Sequence, residues 1–308
     1  MANLPATDQP PTPTFAFRGR PPNPRGPRAG SPRAGSPSAR SLLLTVLGEW
    51  VLPAGGEAWT SALIDAMAAM GVEPKTTRQA VARSADAGLL VPRREGRRTC
   101  WQLTADATRL LNEGSERIYR FGSNTADWDG RWLLLLTSVP ETSRHLRYRL
   151  RNRLGWAGFA PIGPGDWLTP WVDRESEARA VLYELGLATS TRSFVGQLGP
   201  IGDPRAVVAE AWGLEAVEQD YEAFIDVHRY RVPTAPEDAF RALTLLVHDW
   251  RHFPSADPDL PAELLPPAWS GRAAAEVFHI LHDRWSPVAT SWWTDHQESS
   301  RPRPSTLA

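Results

Sequence analysis

The chain has 308 residues, 42% hydrophobic and 22% charged, which is long enough for two or three domains with sizeable cores. A single cysteine, Cys100, excludes an intrachain disulfide and a cysteine-rich metal site, and the absence of any run of about 18 apolar residues argues against a membrane span. The net charge of -1 conceals an asymmetry: residues 1–40 carry six Arg against one Asp, while residues 201–308 carry nine basic and seventeen acidic residues. A polyanionic partner is thereby directed to the N-terminal part. A lone thiol and a start without an apolar signal core fit a cytoplasmic protein.

Residues 1–38 are dominated by Pro, Gly, Ser and Arg and lack the apolar side chains that offset chain entropy, which predicts a disordered basic tail. Such a tail either adds unspecific attraction to phosphates or is a plain solvated extension. Next, SLLLTVLGEWVL predicts a helix with Ser41 as candidate cap, and PAGGEA a loop. WTSALIDAMAAMG and TTRQAVARSADAG predict two more helices, stopped at Gly71 and Gly88. LLVPRR and RRTCWQLT, joined by a turn at Glu95-Gly96, predict a β-hairpin with four arginines at its tip, and TADATRLLNEGSERIYRF a further helix. That order over residues 39–122 is the order of a winged helix-turn-helix DNA-binding domain.

Over residues 123–202, RWLLLLTSVP predicts a buried strand and ETSRHLRYRLRNRLGWAGF a helix. APIGPGDWLTPWV is strand-like, RESEARAVLYELGL is a helix and SFVGQLG a strand. The succession βαβαβ, with room for a fourth strand, predicts a central ferredoxin-like α+β domain. Residues 203–295 are acidic and helical in period, with a Pro-rich connection before RAAAEVFHILHDRW, and predict a mostly helical C-terminal domain; residues 296–308 are expected to be a disordered tail. The fold class expected is thus α+β multidomain.

The chemistry concentrates between residues 75 and 98, where Lys75, Arg78, Arg83, Arg93, Arg94, Arg97 and Arg98 face only Asp86 and Glu95. On the third helix Thr77, Ala80, Val81 and Ser84 form one inward stripe, which leaves Lys75, Thr76, Arg78, Gln79 and Arg83 to point outward or sideways. Arg grips guanine O6/N7 and Gln grips adenine N6/N7, so Arg78 and Gln79 are the candidate base readers. Lys75, Thr76 and Arg83 suit phosphates, and Arg93, Arg94, Arg97 and Arg98 suit the backbone or the flanking minor groove. A solvated basic face, or a winged helix used for protein contacts, is the competing reading.

Several stretches resemble the phenylacetate-degradation repressor family, the PaaX-like regulators, from about Ser41 to about Trp293. SLLLTVLGEWVL and TTRQAVARSADAGLL resemble the start of the family's winged helix, and REGRRTCWQLTADATRLLNEGSERIYRF its wing and following helix. WDGRWLLLLTSVPETSRHLRYRLRNRLGWAGFAPIGPGDWLTP is similar to the central domain, and WRHFPSADPDLPAELLPPAWSGRAAAEVFHILHDRWSP to the C-terminal signature. The resemblance implies a homodimeric, non-enzymatic repressor of aromatic-acid catabolic genes that binds a double-stranded DNA operator. It also implies release by an acyl-CoA effector such as phenylacetyl-CoA, with no cofactor. The central domain of the family resembles a CRISPR adaptation nuclease, whose first strand ends in a carboxylate. Here that end reads Leu136-Thr137-Ser138-Val139-Pro140, so a metal-dependent nuclease is disfavoured.

An aryl-CoA effector requires aromatic walls and cations for phosphates. Among 14 Trp, the candidates are Trp156, Trp167 and Trp171, with Arg147 and Arg151 from the arginine-rich central helix. Core packing is the competing role for each Trp. His248 and His252 share the i, i+4 spacing of zinc ligands, as structural or surface residues also do, and no HExxH motif or third ligand accompanies them; His279 and His282 read the same way. Cys100 reads as a strand residue rather than a redox sensor. No G-x-S-x-G, Walker-type or G-x-G-x-x-G run occurs, and Gly163-Pro164-Gly165 reads as a turn.

Overall fold

A computed structural model describes residues 37–122, 127–140 and 142–302. The basic tail expected over residues 1–38 therefore lies outside the described residues except for its last two. The first helix, α1 (Ala39–Val46), starts two residues before the expected cap: Ser38 caps it by accepting from the Ser41 N–H. The Ser41 hydroxyl is used elsewhere, accepting from Arg251 at 2.6 Å. α1 continues as a π-helical turn, Leu47–Val51, that rotates Trp50 and Val51 into the core. Inside the expected PAGGEA loop the chain enters a short strand, β1 (Glu57–Trp59), followed by α2 (Thr60–Ala69) and α3 (Pro74–Asp86). β2 (Leu90–Glu95) and β3 (Arg98–Leu103) form the hairpin, and β3 lies between β1 and β2 in one antiparallel sheet. α4 (Ala105–Arg120) follows, capped by Thr104.

The second sheet is built from β4 (Arg131–Thr137), α5 (Arg144–Trp156), β5 (Ala160–Gly163), β6 (Asp166–Thr169), α6 (Glu175–Glu184) and β7 (Thr191–Gln197). The segment expected as one strand, APIGPGDWLTPWV, is a hairpin of two: Gly165 turns it with φ 94°, and a Cβ there would meet the Thr137 carbonyl oxygen at 2.3 Å. All pairings are antiparallel, in the order β5-β6-β4-β7. The leucine run of β4 is covered on both faces as far as Leu135, while Leu136 is exposed. Leu133 and Leu135 pack under α5 and α6, whereas Trp132 faces a separate cluster with Val208, Leu214, Leu260 and Leu264.

The remaining helices are α7 (Pro204–Trp212), α8 (Leu214–His228), α9 (Pro236–Trp250), α10 (Phe253–Ala256) and α11 (Gly271–Ser300). Gly213, at φ 62°, breaks what the period presents as one helix into α7 and α8. Two sequence expectations are corrected here. The last helix does not end before Pro287, and residues 296–300 are its final turns rather than tail; residues 303–308 lie outside the described residues. A proline inside a helix costs about 3 kcal/mol. Burial of Ala289, Trp292 and Trp293 beyond it more than offsets this. Nor do the C-terminal helices own their core: α8, α9 and α11 share one apolar cluster with α1, α2 and α3.

Two buried titrating groups lie in this shared region. Asp257 accepts from the Tyr221 hydroxyl at 2.6 Å and the Asp259 N–H at 2.7 Å, and burial pushes its carboxyl from 3.8 up to about 6. His248 lies 2.9 Å from the Thr45 hydroxyl, and burial, aided by the Arg251 charge, pushes it from 6.5 down to about 4. Stability from Asp257 is full below the unfolded carboxyl pKa and is lost as pH rises through about 6. Stability from His248 is full above the unfolded imidazole pKa and is lost as pH falls toward about 4. The two slopes oppose each other between about pH 4 and 6. Urea midpoints relative to the parent chain are expected to rise with pH for Asp257→Asn and to fall with pH for His248→Gln; difference profiles that stay flat would contradict both assignments.

Candidate nucleic-acid interface

α3 begins at Pro74, whose fixed φ suits a first helical position and whose missing N–H costs nothing there. It buries Thr77, Ala80, Val81 and Ser84 against α1 and α2. The two buried hydroxyls are satisfied within the helix, Thr77 donating to the Glu73 carbonyl and Ser84 to the Ala80 carbonyl. Lys75, Thr76, Arg78, Gln79 and Arg83 are all exposed. Lys75, Arg78 and Arg83 make no ion pair among the described residues.

The hairpin leaves the body after Leu90; every later residue of β2 is exposed. Its four arginines divide by strand register. Arg93 stands opposite Cys100 and Glu95 opposite Arg98 on one face, while Arg94 and Thr99 occupy the other. Arg93 pairs with Glu57 of β1 at 2.8 Å, and the Gln102 amide, then the Arg93 charge, hold the Glu57 carboxyl below the usual range. Arg98 donates from Nη1 to the carbonyls of Ser300 at 2.6 Å and Arg301 at 2.7 Å. Arg94 and Arg97 make no ion pair or hydrogen bond among the described residues. Between α3 and the hairpin lies a groove of about 540 Å³, bordered by Arg78, Arg97 and Arg98, by Thr60 and Asp65 of α2, and by Ser300 of α11. Glu57 and Ser300 are not legible as neighbours of these cations, because the contacts span 36 residues to β1 and some 200 to α11.

The five effector candidates are not brought together. Arg147 and Arg151 are exposed on α5, and Trp156 at its end is 43% exposed beneath the Arg117 guanidinium, 5.6 Å from the ring centroid. Trp171 donates to the Asp259 carbonyl at 3.0 Å. Trp167 is a correction: it pairs across the sheet with Leu135 on the face that α5 and α6 cover, and is 4% exposed in that core. Cys100 is buried in β3, and burial pushes its thiol up, away from the reactive thiolate. His282 contacts Glu49 and Tyr119, and among the described residues no group of three or more His, Cys, Asp or Glu is arranged to hold a metal. No helix among the described residues is long and apolar enough to cross a membrane.

Three sequence profiles match consecutive parts of the chain: PaaX-like protein over residues 38–107, PaaX protein central Cas2-like domain over 125–208, and PaaX-like protein C-terminal domain over 212–295. The Escherichia coli transcriptional repressor PaaX is 30% identical over 272 residues, covering 84% of each chain. The chain belongs to the PaaX-like family of transcriptional repressors. Among solved structures it resembles the uncharacterized Mycobacterium tuberculosis protein Rv0674, with a TM-score of 0.56 and 22% identity over 85% of this chain and 98% of that one. That likeness shows a shared mixed α+β fold. Membership of the PaaX-like family makes the protein a regulator rather than an enzyme.

Core and surface roles within this PaaX-like chain separate in stability measurements. Trp167→Ala is expected to cost about 3–5 kcal/mol in urea unfolding, and Arg151→Ala less than about 0.5 kcal/mol. A Trp167→Ala chain as stable as its parent would return that ring to the list of ligand contacts.

Proposed function

We propose that the chain represses aromatic-acid catabolic genes, of the phenylacetate type, by occupying a double-stranded operator. In this reading residues 39–122 are a winged helix-turn-helix, residues 123–202 a ferredoxin-like domain and residues 203–295 a helical C-terminal domain. The order helix, strand, helix, helix, hairpin supports the first, and β-α-β-β-α-β with antiparallel order β5-β6-β4-β7 supports the second. The observation that carries the proposal is a coincidence of charge and shape. Arg78 on the outward face of α3 and the uncommitted Arg97 of the wing border one groove in a chain related to a repressor, and Arg94 adds a second uncommitted cation to the same hairpin.

Arg78 and Gln79 then reach base edges, with Lys75, Thr76 and Arg83 on phosphates. Two copies would place two α3 helices in successive major grooves about 34 Å apart, on a pseudo-palindromic operator. The outer edge of β7 and the adjoining sheet face suit the second copy. Phe194, Leu136 and Ile162 are half exposed there, and Ile201 beyond the strand is 92% exposed. Arg192 and Asp166, both opposite Leu136, supply one charge of each sign for a two-fold contact. An aryl-CoA ester, phenylacetyl-CoA or a relative, releases the repressor by binding its DNA-incompetent form more tightly. Arg147, Arg151, Trp156 and Trp171 remain as contacts reachable by such a ligand.

Arg78→Ala is expected to weaken operator binding by about 1–3 kcal/mol and to relax sequence preference at one position. Arg97→Ala is expected to weaken binding to all sequences alike and to lower the salt slope by about one per protomer. Gel shifts across a salt series measure both, and unchanged binding in both variants would end the DNA reading. Phe194→Glu is expected to give a monomer in sedimentation; a dimer that survives it would place the interface elsewhere.

A further inference from the structure

The structure assigns Arg98 a role other than contact with DNA: it is a positioning residue that fastens the wing to the last turn of α11. The final carbonyls of any helix lack partners within the helix, and their end carries the negative pole of the helix dipole. A single nitrogen of Arg98 donates to three of these oxygens, Ser299 at 3.4 Å, Ser300 at 2.6 Å and Arg301 at 2.7 Å. The cap is thus supplied by a residue some 200 positions earlier in the chain. Two further contacts tie the same turn to the same sheet. Gln297 accepts from the Trp59 N–H and donates to the Glu57 carbonyl, both at 3.2 Å, pairing with β1 along an edge that no strand covers. Ser61 donates to the Ser300 hydroxyl at 2.8 Å.

With Nη1 committed to these carbonyls, the Arg98 guanidinium is held against the end of α11 rather than free to follow a phosphate. The cations of the wing that remain for DNA are Arg94 and Arg97, and Arg97 is the immediate neighbour of the fastened residue. α11 is about 45 Å long at 1.5 Å per residue. Its earlier turns bury Phe278 and Trp285 in the core with α8 and α9, and its end holds the wing. A shift of the C-terminal helices is therefore delivered to the wing through a rigid element rather than a loop. This inference rests on the DNA reading for its consequence and on the free protein for its test.

Four chains decide it: Arg98→Ala, Arg98→Lys, a chain ending at Asp295, and that shorter chain carrying Arg98→Ala. Amide exchange over residues 94–99 is followed in the free protein, and operator binding is followed across a salt series. Arg98→Ala and the shorter chain are each expected to speed exchange in the wing, weaken binding about tenfold and leave the salt slope of the parent unchanged. Combined, they are expected to weaken it no further than the shorter chain alone, because that chain already lacks the carbonyls Arg98 holds. Arg98→Lys, whose ammonium carries three donors, is expected to restore exchange and to bind within about threefold of the parent. Arg98→Ala with a slope lowered by about one and unaltered exchange, or additive losses in the combined chain, would overturn the assignment and return Arg98 to the phosphates. If the shorter chain does not fold, exchange over residues 94–99 and the salt slope in Arg98→Ala and Arg98→Lys decide it by the same criteria. A protein that binds no operator at all would defeat the DNA reading, while exchange in the wing would still decide the fastening.

Discussion

The first and last thirds of the chain cannot bury their apolar faces separately. Trp50, turned inward by the π-helical turn after α1, lies tilted against Phe240 of α9 with ring centroids 4.8 Å apart and donates to the buried Thr244 hydroxyl at 2.9 Å. Phe240 in turn lies 4.3 Å from Trp292 of α11. Trp250 donates to the Ile118 carbonyl at the end of α4, so a helix of the C-terminal segment satisfies a backbone group of the N-terminal one. Large rings with one polar end suit such a junction, since each fills volume and fixes orientation at once. Buried rings of this size contribute on the order of 2–3 kcal/mol each, so the N-terminal helices are held to α9 and α11 by much of the stability a chain of this kind possesses.

That shared core determines how the basic face is presented. α3 packs on α1 and α2 with four small or β-branched residues, Thr77, Ala80, Val81 and Ser84, and its other positions stay in solvent. Because α2 also contacts α9 and α11, the helix that carries Arg78 is seated on a platform contributed by both ends of the chain. The acidic C-terminal segment thus supports the cationic surface from within. Charge separation along the sequence becomes a division between a supporting layer and a contacting face, which suits a polyanion partner better than the net charge of -1 suggests.

Local pattern made most elements legible. The inward stripe of α3, the stops at Gly71 and Gly88 and the two-faced burial of β4 follow from side-chain period and glycine placement, both short-range properties. Three features were hidden for physical reasons. β1 has three residues, too few to show alternation, and exists because β3 offers it a partner. α11 crosses Pro287, an unfavourable local choice that the tryptophans after it outweigh. The second hairpin sits where two glycines and a proline read as one interrupted strand. At the site, period identified which side chains point outward but not what they meet. Glu57 against Arg93 and the end of α11 against Arg98 are tertiary contacts with no local signature.

The β2–β3 hairpin shows how finely that matters. Its tip reads Arg-Arg-Glu-Gly-Arg-Arg, four cations that composition treats as equal. A strand alternates its side chains, so Arg93 and Arg98 fall on the face of Cys100 and Trp59, where Glu57 and the α11 carbonyls wait. Arg94 falls on the opposite face, and Arg97 in the turn on neither. Two arginines are therefore tied to neighbouring groups of the molecule, and two make no such contact among the described residues. An exposed ion pair such as Arg93–Glu57 contributes at most about 1 kcal/mol, but it offsets one positive charge of the hairpin. The cationic strength of this surface is set by strand register, and shifting the hairpin by one residue would exchange the anchored pair for the projecting one without altering composition.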